Sequence, residues 1–414
     1  MGVISCWLGA VLLACAASAG NALPWQQQNH GAPPAPAGPP GELNVRQFGA
    51  RGDGVTPDDA AIQAAINAAA AASQLPAGTT PTVYLPRGVY LLTKTLTVSA
   101  ADPIQLTGDG RQASHLVAGQ ELRGATMLQY GTPAVSVEDG EVSALGFDGR
   151  NIALHCITAY ATHSTFTGLL LRESTDALVR FESGVGNAFV ASHYDCGASS
   201  SECTGVCLQS TTASNIVKIA DNTFADFTTA VSLVGGANVR VVGNEFAGLT
   251  PQNRSKPPSL ILRSITGLTI SSNTFATGGG SKIDGLYGGP YGGLYGCSEI
   301  LLSGVSAGNT SSPCSGVSIF TNVFDPVGYE HICSPYSAVM LGAAERVSLA
   351  DNTNGATPPY NYVGGGFNLL GTGADSRFYT AEIHVQGDAM VHKFVEKDGT
   401  QSCASYMCRN SGRP

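Results

Sequence analysis

The chain has 414 residues, 43% of them apolar and only 12% charged, with 52 glycines and a formal net charge of −9. That apolar share supplies a large core, and low charge with abundant glycine fits a turn-rich all-β architecture. No block of Lys/Arg occurs, which excludes the electrostatic footprint of a nucleic-acid binder. An acidic chain holds an anionic polymer only through local cations.

Residues 1–19 read as a secretory signal peptide. Residues 3–17 are apolar, and Ala17-Ser18-Ala19 offers a small-residue cleavage site. Leu12-Leu13-Ala14-Cys15 has the alternative look of a lipoprotein box, without a basic flank before it. Residues 20–43 are rich in Gln, Pro and Ala, including Pro33-Pro34-Ala35-Pro36, and read as a linker. No later run has the length and apolarity of a membrane span.

Residues 44–98 carry a compact pattern. Gly49, Gly52 and Gly54 allow a tight turn. Thr56 then has the chemistry of a helix N-cap, Pro57 that of a first helical residue, and Asp58-Asp59 suit the positive helix end. Ile62, Ala65, Ile66 and Ala69 repeat at helical period. Two strands follow, hinged on Pro86-Arg87-Gly88. Arg51-Gly52-Asp53 spells an integrin tripeptide but reads as part of the turn.

Beyond residue 130 the chain repeats itself loosely. Faint units at residues 134–137, 142–149 and 165–171 lead into a clearer one, a short alternating strand closed by a turn Asn and usually a Phe. Its asparagines are Asn222, Asn244, Asn273, Asn322 and Asn352, spaced by 22, 29, 49 and 30 residues. Periods of this size mark a solenoid. Asn tolerates the left-handed turn conformation. Stacked rungs would let the Asn side chains hydrogen-bond in a ladder with the Phe rings inside. The interval of 49 is two rungs, or one rung plus a loop. About ten rungs are expected in residues 83–385, and residues 378–414 depart from the repeat as a C-terminal cap or tail.

The order Gly-rich turn, helix, hinged strands and Asn-Phe coil resembles the pectate-lyase-like superfamily, in its rhamnogalacturonase/epimerase-type group. The resemblance implies a right-handed parallel β-helix with an N-terminal capping helix over residues 44–377, and an extracellular polysaccharide as partner. The helix covers the open end of the coil, a hazard for any sheet edge. Polygalacturonase-like members carry an Asn-Thr-Asp segment, an Asp-Asp pair, a Gly-His-Gly and an Arg-Ile-Lys. Here the only Asp-Asp is Asp58-Asp59 of the cap, and the other segments are absent. The alginate-epimerase signature is approached only by Asp325-Pro326-Val327, which lacks its His.

Three groups remain as candidates. His193, Asp195 and Glu202 lie ahead of a strand, with Asp226 on the next rung, and two such carboxylates suit the acid and base or nucleophile of glycoside hydrolysis. Asp325 and His331, with Tyr329 and Glu330, suit abstraction of a uronate C5 proton in β-elimination. A lyase of that kind needs Lys, Arg or a calcium ion to neutralise the carboxylate, and no cofactor is otherwise called for. Tyr287, Tyr291 and Tyr295, with Lys282, sit in a Gly-rich stretch that fits the long interval and offers rings to stack on sugars. The histidines His30, His115, His155, His163, His384 and His392 appear singly and read as surface or structural groups.

Of eleven cysteines, nine follow the signal segment. In a secreted chain these predict disulfides, with local bridges among Cys196, Cys203 and Cys207, among Cys297, Cys314 and Cys333, and between Cys403 and Cys408. The expectation is a secreted monomer, a lyase or glycoside hydrolase on uronate-containing or related glycans. The alternative is a noncatalytic glycan-binding or adhesion protein on the same scaffold.

Overall fold

The computed structural model describes residues 41–71, 80–99, 103–196, 206–247, 258–276, 297–303, 305–307, 310–312, 314–324, 336–341, 344–350, 352–354, 367–369, 383–386 and 391–393. These strands form three long sheets of twelve, eleven and twelve strands, here called A, B and C in the order one turn of the coil visits them. Neighbours within each sheet run parallel and come from successive turns of the chain. The architecture is a right-handed parallel β-helix. Strands Ile383–Gln386 and Val391–Lys393 still extend sheets A and C beyond residue 377.

The helix Asp59–Ala70 buries Ile62, Ala65, Ile66 and Ala69, as their period predicts. Its entry differs from the sequence reading. Thr56 and Pro57 belong to a strand, Asp53–Pro57, and Asp58 is the N-cap residue. The Asp58 carboxylate makes no cap bond and instead accepts from the backbone N–H of Arg51 at 2.6 Å and of Gly52 at 3.1 Å. The glycine turn needed an acceptor more than the helix did, because its N–H groups point inward with no strand to pair them. Asp53 closes the same turn, accepting from Val55 and Thr56.

The ladder forms at the turn from sheet A to sheet B. Asn222, Asn244, Asn273 and Asn322 each donate a side-chain N–H to the Oδ1 of the next Asn, ending on Asn352, at 2.9–3.0 Å. Asn273 and Asn322 are therefore on adjacent rungs, and the long interval is one rung plus a loop. Two positions further on, within sheet B, Tyr194, Phe224, Phe246, Phe275 and Phe324 stack with ring centroids 4.7–5.1 Å apart. That matches the rung spacing of ~4.8 Å, so aromatic contact and strand pairing reinforce each other. The core is one continuous apolar column from Val45 to Val347.

Candidate functional site

Sheet C carries an ionic network on its outer face. On strand His155–Thr162, alternation buries Ala159 and turns Thr158 and Tyr160 outward. On strand Ala177–Ser183 the run Val179-Arg180-Phe181-Glu182 does the same for Arg180 and Glu182. His155 opens its strand with a side chain only 4% exposed. Its Nε2 donates to Asp176 Oδ2 at 2.9 Å, and its Nδ1 lies 3.2 Å from the hydroxyls of Thr126 and Thr158, which are 2.9 Å from each other, so one hydroxyl donates to Nδ1 and accepts from the other. Arg180 reaches Asp176 Oδ2 at 3.9 Å through Nη1 and bonds Glu182 Oε1 through Nε. Thr211 on the next rung donates to the other Glu182 oxygen at 2.5 Å.

Asp176 sits where sheet B hands over to sheet C. The His155 hydrogen bond holds its carboxyl below the ordinary range, outweighing burial, and the charge of Arg180 adds to this. Glu173, three residues earlier in the same turn, goes the other way. Burial pushes its carboxyl up, the Asp148 and Asp195 carboxylates push the same way, and Arg172 opposes them. Glu173 is held in the left-handed conformation, φ 56°. Its N–H bonds Asp195 O and its carbonyl accepts from Asn151 N. Gly149 makes this corner fit, since a Cβ there would lie 2.5 Å from Glu173 O. The two carboxyls of this turn thus shift in opposite directions, Asp176 down through its His155 hydrogen bond and Glu173 up through burial.

Asp148, Arg172 and Asp195 occupy one register position on three consecutive strands of sheet B. Arg172 Nη2 pairs with Asp148 at 3.0 Å. His193 and Asp195 flank the buried Tyr194 and so share the outer face. Burial lowers the His193 pKa against the pull of Asp195, and Arg111 lowers it further. Burial and Arg172 likewise lower that of His115. Asp226 follows Ala225, the register partner of Asp195, in a turn with φ 52°. The structure thus brings Asp195 and Asp226 to neighbouring rungs at one corner. A disulfide joins Cys196 to Cys207. Glu202, Lys282, Tyr287, Tyr291, Tyr295, Asp325, His331, Cys333, Cys403 and Cys408 lie outside the described residues. Among the described residues no three His, Cys, Asp or Glu side chains converge as a metal site, and no helix is long and apolar enough to cross a membrane.

Sequence reasoning did not single out Glu173, Asp176, Arg180 and Glu182, and read His155 as a surface or structural group; it is buried with both ring nitrogens hydrogen-bonded. The signal for Arg180 and Glu182 was present in the alternation of their strand. None existed for His155 with Asp176, which meet only because one rung separates them.

Known proteins place these features in a family. The family described as rhamnogalacturonase A/epimerase, pectate lyase-like matches residues 43–253. Among curated proteins, mannuronan C5-epimerase AlgE2 of Azotobacter vinelandii is 40% identical over 99 residues, 22% of this chain and 9% of that protein. AlgE4 of the same organism is 34% identical over 132 residues, 31% of this chain and 21% of that one. The chain thus spans only a small part of these relatives. Among solved structures, DFA-IIIase from Arthrobacter chlorophenolicus A6 superposes with a TM-score of 0.52 at 11% identity, covering 85% of this chain and 94% of that one. The surface protein and adhesin PfbA of Streptococcus pneumoniae gives 0.51 at 15%, covering 83% and 97%. At such identities the likeness is one of fold.

Proposed function

From the premise that this chain belongs to the rhamnogalacturonase A/epimerase, pectate lyase-like family, we propose that it is a secreted polysaccharide-active protein, a lyase or glycoside hydrolase on uronate-containing or related extracellular glycans. One observation carries the reading: Asp176 is kept ionised by His155 and Arg180 at the edge of an outer face that also presents Tyr160, while Glu173 in the same turn is biased toward its neutral form. In hydrolysis Glu173 gives its proton to the leaving glycosidic oxygen. Asp176 takes one from the water that adds to the sugar carbon. Asp195 and Asp226 extend the acidic corner along the neighbouring rungs. In elimination Arg180 neutralises the uronate carboxylate, which acidifies the C5 proton; Asp176 takes that proton, the C4–O bond breaks as the C4=C5 double bond forms, and Glu173 protonates the departing oxygen. The name of the mannuronan C5-epimerases supports a uronate polymer as substrate, and the Cys196–Cys207 disulfide supports an oxidising compartment.

The test is incubation with a polyuronate panel. Reducing ends alone indicate hydrolysis, an unsaturated ultraviolet-absorbing product indicates elimination, and an altered sugar composition without new ends indicates epimerisation. Asp176→Asn and Glu173→Gln are each expected to lower turnover by about 10²-fold or more. Full activity in both rejects the assignment. A noncatalytic glycan-binding reading is favoured by one feature: His155, Asp176, Arg180 and Glu182 already satisfy one another. Binding without product from any polymer selects it.

A further inference from the structure

The outer face of sheet A holds a second polar patch, on strands Lys218–Ala220 and Ala237–Val242. Lys218 and Arg240 are direct register partners on adjacent rungs and both are exposed. Like charges at one rung spacing, ~4.8 Å, repel each other. Neither has an ion pair or side-chain hydrogen bond among the described residues; Asp221, at the turn after Lys218, pairs with neither. Two residues before each cation, at the corner where the chain enters sheet A, stand Ile216 and Asn238, and Ile216 N donates to Ala237 O at 2.7 Å across the two rungs. Val217 and Val239 are buried between these positions, and Ile216, Lys218, Asn238 and Arg240 are all exposed.

The chain takes a left-handed corner at this column rung after rung, at Asp139, His163, Gly186, Ile216, Asn238, Gly267, Gly316 and Arg346. Ile216 is the β-branched residue among them, a type that avoids this conformation, and its side chain is 53% exposed. The rungs on either side are small. Ala188 faces Lys218 and Thr269 faces Arg240, and Asn238 lies over Gly267. The cations therefore stand clear of neighbours, beside an apolar side chain and an amide.

We propose that Ile216, Lys218, Asn238 and Arg240 form a binding surface for a strand of anionic polysaccharide, on sheet A and separate from the face of sheet C. Carboxylates of the glycan pair with Lys218 and Arg240, the apolar face of a sugar ring rests on Ile216, and the Asn238 amide bonds a hydroxyl. With a net charge of −9 the protein offers polyanions no general attraction, so recognition is local. A glycan presents ring faces and hydroxyls as well as charge, which suits the mixed chemistry of the patch.

The experiment is equilibrium binding of the full chain at low salt to a polyuronate, a neutral glycan, duplex DNA and anionic vesicles. Turnover is not needed for the readout, so a protein inactive on every glycan still tests the patch. Lys218→Gln with Arg240→Gln is expected to weaken polyuronate binding about tenfold, the loss of two exposed charge contacts, and to leave neutral-glycan binding alone. Ile216→Gly is expected to weaken the same binding while Tm holds or rises, because glycine accepts that backbone. Unchanged polyuronate affinity in the double variant overturns the proposal. So does DNA or vesicle binding as tight as polyuronate binding, or a lower Tm with unaltered affinity in Ile216→Gly.

Discussion

The residue that precedes each sheet B strand divides the molecule into two regions. From Asn222 to Asn352 it is asparagine on every rung, bonded to the next. In the three rungs before, it is Leu145, Leu169 and Ser192, all buried. The outer face of sheet C changes over the same stretch. Thr158 and Arg180 are half-exposed, whereas Ser232 and Ile261, further along the same register column, are buried. The ladder region is a repeating scaffold. The ionic groups with shifted pKa values on sheets B and C cluster in the region before it, where the repeat loosens and side chains differ from rung to rung. Regularity and chemistry occupy different parts of one coil, as expected where a site departs from the consensus that makes a solenoid stable.

The contrast breaks most clearly in the ladder region. Phe246→Ala removes the middle of the ring stack, between Phe224 and Phe275, and is expected to cost about 3–5 kcal/mol in denaturant unfolding. Asn273→Ala comes next. It deletes the acceptor of Asn244 N and Nδ2 and the donor to Asn322 and to Val241 O. With the Asn244 N–H left buried and unpaired, about 2–3 kcal/mol should be lost. A cost under about 0.5 kcal/mol, the range of ordinary surface changes, would mean the ladder is not a stabilising element. In the region before it, His155→Gln should cost less, about 1–2 kcal/mol, because Gln keeps polar contact with Asp176 or Thr158 but not both. Its larger effect falls on activity, since Asp176 loses its partner. Equal losses of stability and no loss of turnover would make His155 structural, as a lone histidine in the sequence suggests.

The same division decided what could be read in advance. Asn222, Asn244, Asn273 and Phe224, Phe246, Phe275 share one motif three times over, so register followed from repetition. The helix face was legible from Ile62 and Ile66 for the same reason, but its cap was not. Asp58 chose between two sets of N–H donors, and local spacing holds no information on the turn that needed it more. The site shows the sharper limit. Asp195 and Asp226 stood out as candidates because each sits beside a recognisable rung. His155, Arg180 and Glu182 are single polar residues beside apolar ones, Asp176 ends the polar run Glu173-Ser174-Thr175, and only closing the coil brings His155 to the other three.

The smallest expected effect is the most discriminating, because it has a sign. Glu173 has its folded pKa raised, by burial first and then by Asp148 and Asp195. Its neutral form is therefore favoured by folding. The associated stability is complete below the unfolded carboxyl value, about 4.3, and is lost as pH rises through the higher folded value. Asp53 in the N-terminal turn behaves oppositely. Backbone bonds from Thr56 and Val55 bring it down to about 2, so its contribution is present above the unfolded value and disappears as pH falls toward that figure. Glu173→Gln should then match the parent Tm below about pH 4 and exceed it at neutral pH, whereas Asp53→Asn should lower Tm at neutral pH and converge with the parent only in strong acid. Gain of stability with loss of turnover in Glu173→Gln is the signature of a strained functional group. A Tm difference that stays constant with pH would instead mean that neither burial nor its acidic neighbours act on Glu173, and the acid assigned to this corner would have to be sought among Asp195 and Asp226.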